Sequence, residues 1–226
     1  MPIKLNGQTS GSVQLDVPAA VSGGDVSLTL PNGTGSANQF LKNGSTAGTL
    51  EFADAALALT DLPNGTILQV KQTHINTGSS QSITSNTRAE LSGLSVNITP
   101  TTSTSDMMVF VRWAGEFSST RNYNQVFGIR RDSTDIGNPT AGGNREVGLA
   151  IIAMGYYTTN ASSTPDSANW FFKDELRPSG TSQITYKATV ENDTSGTLYN
   201  QRTVTDNDTS GNERLTSTII VMEVAA

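Results

Sequence analysis

Cysteine is absent from this 226-residue chain, so neither disulfides nor thiolate metal sites hold it together. Charge is scarce as well. Asp, Glu, Lys and Arg make up only 15% of the residues. Ordinary disorder needs many charges and few β-branched residues, so that class is disfavoured. The net charge is −6, and the 14 Lys and Arg are scattered. A nucleic-acid binder needs a basic face to neutralise phosphates, and no such face is written here. No apolar run approaches the length that spans a bilayer, so membrane insertion is not expected. The opening "MPIKLNGQTSGSVQ" has no hydrophobic signal core, which predicts synthesis in a cytosol without export by the general pathway. No convincing amphipathic helix stands out.

What fills the chain is hydroxyl and amide. Ser, Thr and Asn together make about a third of it, well above ordinary usage. Thr, Val and Ile are strand residues, so the composition predicts an all-β protein with a hydroxyl-rich surface. Apolar residues reach only 35%. A thin-cored β protein without disulfides needs another source of stability, and oligomerisation is the one that remains.

The strands show as period-two alternation. "SVQLDV" places Val13, Leu15 and Val17 on one face, and "DVSLTL" does so with Val26, Leu28 and Leu30. Pro18 and Pro31 end these runs. Then comes "GSANQFLKNGSTAGTLEFADAA", Gly35 to Ala56, with isolated Phe40, Leu41, Leu50 and Phe52 among glycines. It cannot bury itself. The Ala-Leu stretch from Ala55 to Leu59, which includes Leu57, is expected to form a helical turn or a packed neck. Pro63-Asn64-Gly65 is a turn signal.

After Gly65 the texture changes. "TILQVKQTHI" puts Leu68, Val70 and His74 on one face, and "LSVNITP" presents Leu94, Val96 and Ile98. In "DMMVFVRWAGEF" one face carries Met107, Val109, Val111, Trp113 and Phe117. The other begins with Met108 and Phe110 and finishes with Arg112 and Glu116, which predicts burial on both sides at the first end only. "QVFGIRR", "EVGLAIIAM", "QITYKATV" and "RLTSTIIVMEV" follow. The last is apolar on both sides, which suits a central strand or one lying against a partner subunit. About eight to ten strands are expected here, in an antiparallel sandwich or barrel, and the length suits a jelly roll. The expected division is residues 1–62, an N-terminal β shaft or attachment segment, and 63–226, a jelly-roll-type β-sandwich head.

Chemistry is hard to find. His74, the single histidine, reads as a partly buried polar residue on a strand. A three-fold axis would be needed to gather copies of it into a metal site. Glu116, Asp132, Asp135 and Glu175 show no spacing that marks a catalytic pair. "NDTSG" occurs at Asn192 to Gly196 and at Asn207 to Gly211. Each reads as a hairpin turn with Gly in the left-handed position. "DNDTSGNE" starts like a calcium loop, but Ser217 stands where the closing Glu belongs. No catalysis, metal or cofactor is expected. Binding is easier to place. Arg121, Tyr123, Tyr156, Tyr157 and Trp170 sit among Ser and Asn, where aromatics stack on sugars or partner surfaces. Trp170 is read two ways, as such an aromatic or as the start of a core strand with Phe171 and Phe172. Trp113 continues an apolar face and is expected in the core.

"LTLPNGTGSANQFLKNGSTAGTLEFADA", Leu28 to Ala55, resembles a segment of bacteriophage tail-fibre and appendage proteins, with Gln39, Leu41, Gly44, Gly48, Leu50 and Phe52 in similar places. "TILQVKQT", "LSVNITPTTSTSDMMVFV" and "TIIVMEVAA" resemble the head domain of virion proteins from phages of marine cyanobacteria. Together the matches cover about half the chain. The resemblance implies a homotrimeric virion appendage assembled in the host cytoplasm. Its head would be similar to the trimeric C1q and tumour-necrosis-factor jelly rolls and would face a host receptor or glycan. Phe40, Leu41, Leu50, Phe52, Leu57 and Leu59 become candidates for trimer or virion contacts. The alternative is a non-adhesive decoration or adaptor protein of the capsid or tail.

Overall fold

The computed structural model describes residues 3–6, 12–15, 29–46, 49–54, 59–118, 124–140, 143–152, 164–175, 177 and 180–226. The chain divides into two compact units, Met1–Ala58 and Leu59–Ala226.

In the first unit, β1 (Ile3–Asn6) pairs antiparallel with β2 (Ser12–Leu15), and β3 (Gln39–Asn43) with β4 (Leu50–Asp54). β2 is the strand expected from "SVQL"; β1 is a four-residue strand too short to show a period. Of the expected "DVSLTL" strand, residues 25–28 lie outside the described residues. Thr29 makes one isolated bridge to Thr49, and Leu30 is exposed. Gly35 takes φ +70 above the ring of Phe52, where a Cβ would come within 2.8 Å of Cγ.

The second unit opens with a 3-10 turn, Leu59–Asp61. Eleven strands follow among the described residues: β5 (Ile67–Ile75), β6 (Ser79–Ile83), β7 (Ala89–Ile98), β8 (Asp106–Phe117), β9 (Val126–Arg131), β10 (Thr134–Ile136), β11 (Ala150–Ile151), β12 (Asp166–Asp174), β13 (Ile184–Glu191), β14 (Gly196–Asn200) and β15 (Ser217–Val224). The count exceeds the expected eight to ten because β10 and β11 are only 3 and 2 residues long. One sheet runs β5-β15-β8-β14-β6, with β12 on the other side of β8. The second runs β10-β9-β13-β7, with β11 on β9. All named pairs are antiparallel. The chain crosses between the sheets at β6 to β7, β7 to β8, β8 to β9, β11 to β12, β12 to β13 and β13 to β14, giving a jelly-roll-like β-sandwich.

Alternation aims one face of each sheet into the gap between them. Val109, Val111, Trp113, Ile219 and Val221 meet Leu94, Ile98, Phe127, Ile129, Tyr186 and Val190 there. Trp113, Phe127 and Trp170 form a chain of rings, each centroid 5.1 Å from the next. Both indoles find acceptors: Trp113 Nε1 donates to Asn200 Oδ1 at 2.8 Å, and Trp170 Nε1 to Gly128 O at 3.2 Å. β15 lies between β5 and β8, the central place its two apolar faces call for.

Two sequence expectations are corrected here. β8 is covered on both sides at its second end, not its first: Ala114 and Glu116 are buried, while Phe110 is exposed. The cause is the segment 201–216, which lies over that end. Gln201 N donates to Ala114 O, and Val204 N to Glu116 Oε2. The two "NDTSG" repeats are not hairpin turns either. The first carries the chain from one sheet to the other, with Thr194 N bonded to Asn192 Oδ1. The second lies in the long connection from β14 to β15. Neither Gly196 nor Gly211 has positive φ.

Candidate functional site

Residues two apart on a strand share a face, so the antiparallel registers of β5, β15, β8 and β12 lay out the outer face as rows. One row reads His74, Thr218, Arg112, Asn169 across the four strands. The next reads Gln72, Ile220, Phe110, Phe171, and the next Val70, Met222, Met108, Lys173. The second and third rows form an apolar band, with Gln72 and Lys173 at its ends. Phe171 is 68% exposed, Val70 51% and Phe110 36%. The Phe110 and Phe171 rings stack with centroids 6.2 Å apart. They floor a shallow cleft closed by Arg112, Asn169 and Ile220. Scattered exposed apolar side chains are ordinary, but a contiguous set on one sheet face marks a contact surface.

The charges on this face differ in their pairing. Lys173 Nζ lies 2.8 Å from Glu175 and 2.9 Å from Asp106. The bond to Glu175, then that to Asp106, raises the Lys173 pKa. Arg112 has no ion pair among the described residues; its Nη1 reaches Thr216 Oγ1 at 3.4 Å. His74 is exposed rather than partly buried, and its Nδ1 lies 2.9 Å from Thr218 Oγ1. The reason is its phase: it points outward from an edge strand.

Of the aromatic and arginine candidates, Arg121, Tyr123, Tyr156 and Tyr157 lie outside the described residues. Trp170 is 5% exposed, in the inward phase of β12 against Phe127, so it cannot stack on a ligand. Its neighbour Phe171 takes the exposed position. A "WFF" run has no alternation, so its phase is set only by pairing with β8.

The contact candidates of the first unit divide between two faces. Leu41 lies opposite Phe52, and Leu50 opposite Asn43, on one face of the β3–β4 hairpin. Phe40 lies on the other, beside the Lys42–Glu51 pair at 3.3 Å. Phe40 and Leu41 are exposed, whereas Leu50 and Phe52 are half-buried. Leu57 lies outside the described residues. Leu59 is exposed and falls in the second unit.

The carboxylates are engaged separately. Asp135 binds Arg130 at 2.8 Å, Asp132 accepts from Thr185 N at 2.9 Å, and Glu116 accepts from Val204 N at 2.6 Å. In the calcium-like loop Asp206 is taken by Arg214 Nη2 at 2.6 Å, with Arg202 at 3.6 Å. The Arg214 bond first, then Arg202, holds its carboxyl below the usual range against slight desolvation. No group of three or more His, Asp or Glu suited to a metal exists among the described residues.

Three buried polar groups escape the sequence reading. Asp174 accepts from Tyr186 Oη at 2.7 Å and from Arg131 Nη1 at 2.7 Å. Burial first, then Asp174, raises the Tyr186 pKa far above its ordinary value. Arg88, nearly buried, lies 3.2 Å from Glu191 and 3.8 Å from Asp135. Glu223 is fully buried and is bonded by Ser105 Oγ at 2.6 Å, Gln69 Nε2 at 2.6 Å and Thr101 N at 2.8 Å. The available signal for Glu223 was its phase, two residues beyond inward Val221.

No protein-family model matches this chain, and no curated protein matches it.

Proposed function

We propose that this chain is a structural protein of a bacteriophage particle: a short fibre or spike that assembles as a homotrimer and adheres to a host surface. One observation carries the proposal. The outer face of the β5-β15-β8-β12 layer carries a contiguous apolar band, Val70, Met222, Met108, Ile220, Phe110 and Phe171, that no described segment covers. A chain of net charge −6 repels its copies unless they meet where acid is absent or paired, and this band meets that condition. A second copy is therefore the occupant that fits. The band forms the centre of the contact and more polar surface its rim.

The rest of the molecule supports the same use. A jelly-roll-like sandwich with a separate N-terminal unit suits a head carried on an attachment segment. The exposed Phe40 and Leu41 suit contacts with other virion proteins. Receptor contact is assigned to Arg121, Tyr123, Tyr156 and Tyr157, which lie outside the described residues, with a glycan as the expected ligand class. Light scattering on the full chain should give on the order of three times the chain mass. The full chain should also compete with phage for adsorption to host cells. A monomer at all concentrations removes the assembly. A trimer that binds particles without competing favours a decoration or adaptor role.

A further inference from the structure

The row beside the apolar band poses an electrostatic problem that assembly makes worse. Arg112 stands directly opposite Thr218 on β15 and Asn169 on β12, and no acidic residue belongs to its row. Its neighbour along β8 on the same face is Phe110, about 7 Å away. Any contact that buries Phe110 and Phe171 therefore brings Arg112 to the edge of the contact or inside it. Copies related by a cyclic axis hold equivalent atoms at the same height along that axis. The guanidiniums of all copies are thus set at one level, partly stripped of water, with no protein carboxylate in that row. Like charges so placed oppose association, and an unpaired charge removed from water is costly.

We propose that this row binds a small inorganic oxyanion, of the phosphate or sulfate type, at the contact between copies. The inference rests on the self-association reading above. The donor set matches the ligand. A guanidinium presents a planar fork to two oxygens of such an anion. The Asn169 amide flanks it from one side. The Thr218 hydroxyl flanks it from the other, with His74 Nδ1 2.9 Å behind it. When the ring proton sits on Nδ1, His74 donates to Thr218 Oγ1, and the hydroxyl proton is free to point across the row. The Phe110 and Phe171 rings exclude water on the band side. The other cation of this face, Lys173, already has Asp106 and Glu175 and needs no anion.

The test uses the full chain in chloride buffer and in inorganic phosphate at matched ionic strength. Phosphate should raise the melting temperature of the wild-type oligomer by about 3 °C. Arg112→Gln should remain an oligomer and lose that gain. In chloride it should dissociate at a roughly tenfold lower concentration than wild type, because the repulsion is gone. A role confined to packing would not produce that tightening. An oligomer that responds equally to both salts, or an Arg112→Gln oligomer that keeps the phosphate gain, overturns the anion site and leaves self-association standing. A wild-type monomer under all conditions overturns both.

Discussion

Ser105 Oγ donates to Glu223 Oε1 at 2.6 Å inside the sandwich, and accepts from Arg177 Nη2 at 2.9 Å. This relay fastens the last strand to the connection between β7 and β8. Thr101 N and Thr102 N also donate to Glu223 Oε1, at 2.8 and 3.2 Å, and Arg177 holds Thr102 O and the carbonyl of Ser105. Burial alone would push the Glu223 carboxyl up. The bonds from Ser105, Gln69, Thr102 and Thr101 outweigh it and hold the pKa below its ordinary value.

An acid-dependent loss of stability follows. A carboxyl whose folded pKa lies below its unfolded one stabilises the fold while charged. Its contribution is complete above the unfolded value, about 4.3 for Glu, and is lost as pH falls through the lowered folded value. Glu223→Gln turns one acceptor into a donor facing donors. It should cost about 2–4 kcal/mol at neutral pH. It should also flatten the stability curve between about pH 5 and pH 3. Denaturant melts across that range check both; an unchanged acid limb would remove Glu223 as its source.

Trp170 and Phe171 are chain neighbours with opposite duties. Trp170→Ala empties the space against Phe127 and should cost about 3–5 kcal/mol. Phe171→Asp changes an exposed side chain, so it should shift stability by only about 0.5 kcal/mol. It should nevertheless break self-association, because it puts a charge in the apolar band. Calorimetry and light scattering on the two variants separate the effects.

Gly115 is a close-approach position. A Cβ there would lie 2.1 Å from Tyr199 O and 2.5 Å from Trp113 Cζ2. One neighbour is backbone and the other a fully buried ring, so neither yields cheaply. Gly115→Ala should cost about 3 kcal/mol or more. Gly33, with nothing within 4 Å of its would-be Cβ, supplies the control. Gly33→Ala should melt within about 0.5 kcal/mol of wild type.

Phe52 supports Gly35 in the first unit, and the second unit has its own core. Phe52→Ser should therefore disturb the β3–β4 hairpin and, under the function proposed above, loosen assembly or attachment. The melting transition of the second unit should not move. A lowered transition of the second unit would show that the two units fold together.

Much of the sandwich is legible from period two. The inward sets of β7 and β8 can be read directly: Leu94, Val96 and Ile98 alternate with polar residues, and Met107, Val109, Val111 and Trp113 hold one phase of β8. The reading fails where the deciding contact is distant. The segment that covers the second end of β8 is contributed by residues about ninety positions later. The Arg131–Asp174–Tyr186 cluster joins three strands that leave no shared motif. Trp170 lies in an apolar triplet, where alternation carries no information.

The sequence by itself determined the class of fold and the shortage of core, because strand propensity, turn residues and the lack of cysteine and charge are local or compositional. It also pointed to a central place in a sheet for β15, where it lies between β5 and β8. Only the tertiary structure decided which aromatic is buried and which exposed, where Glu223 finds its donors, and that Phe110, Phe171 and Ile220 form one band beside Arg112, which has no ion pair among the described residues. Those relationships are set by strand register between segments up to about 150 residues apart. Register is fixed by the whole sheet at once, not by any stretch of it.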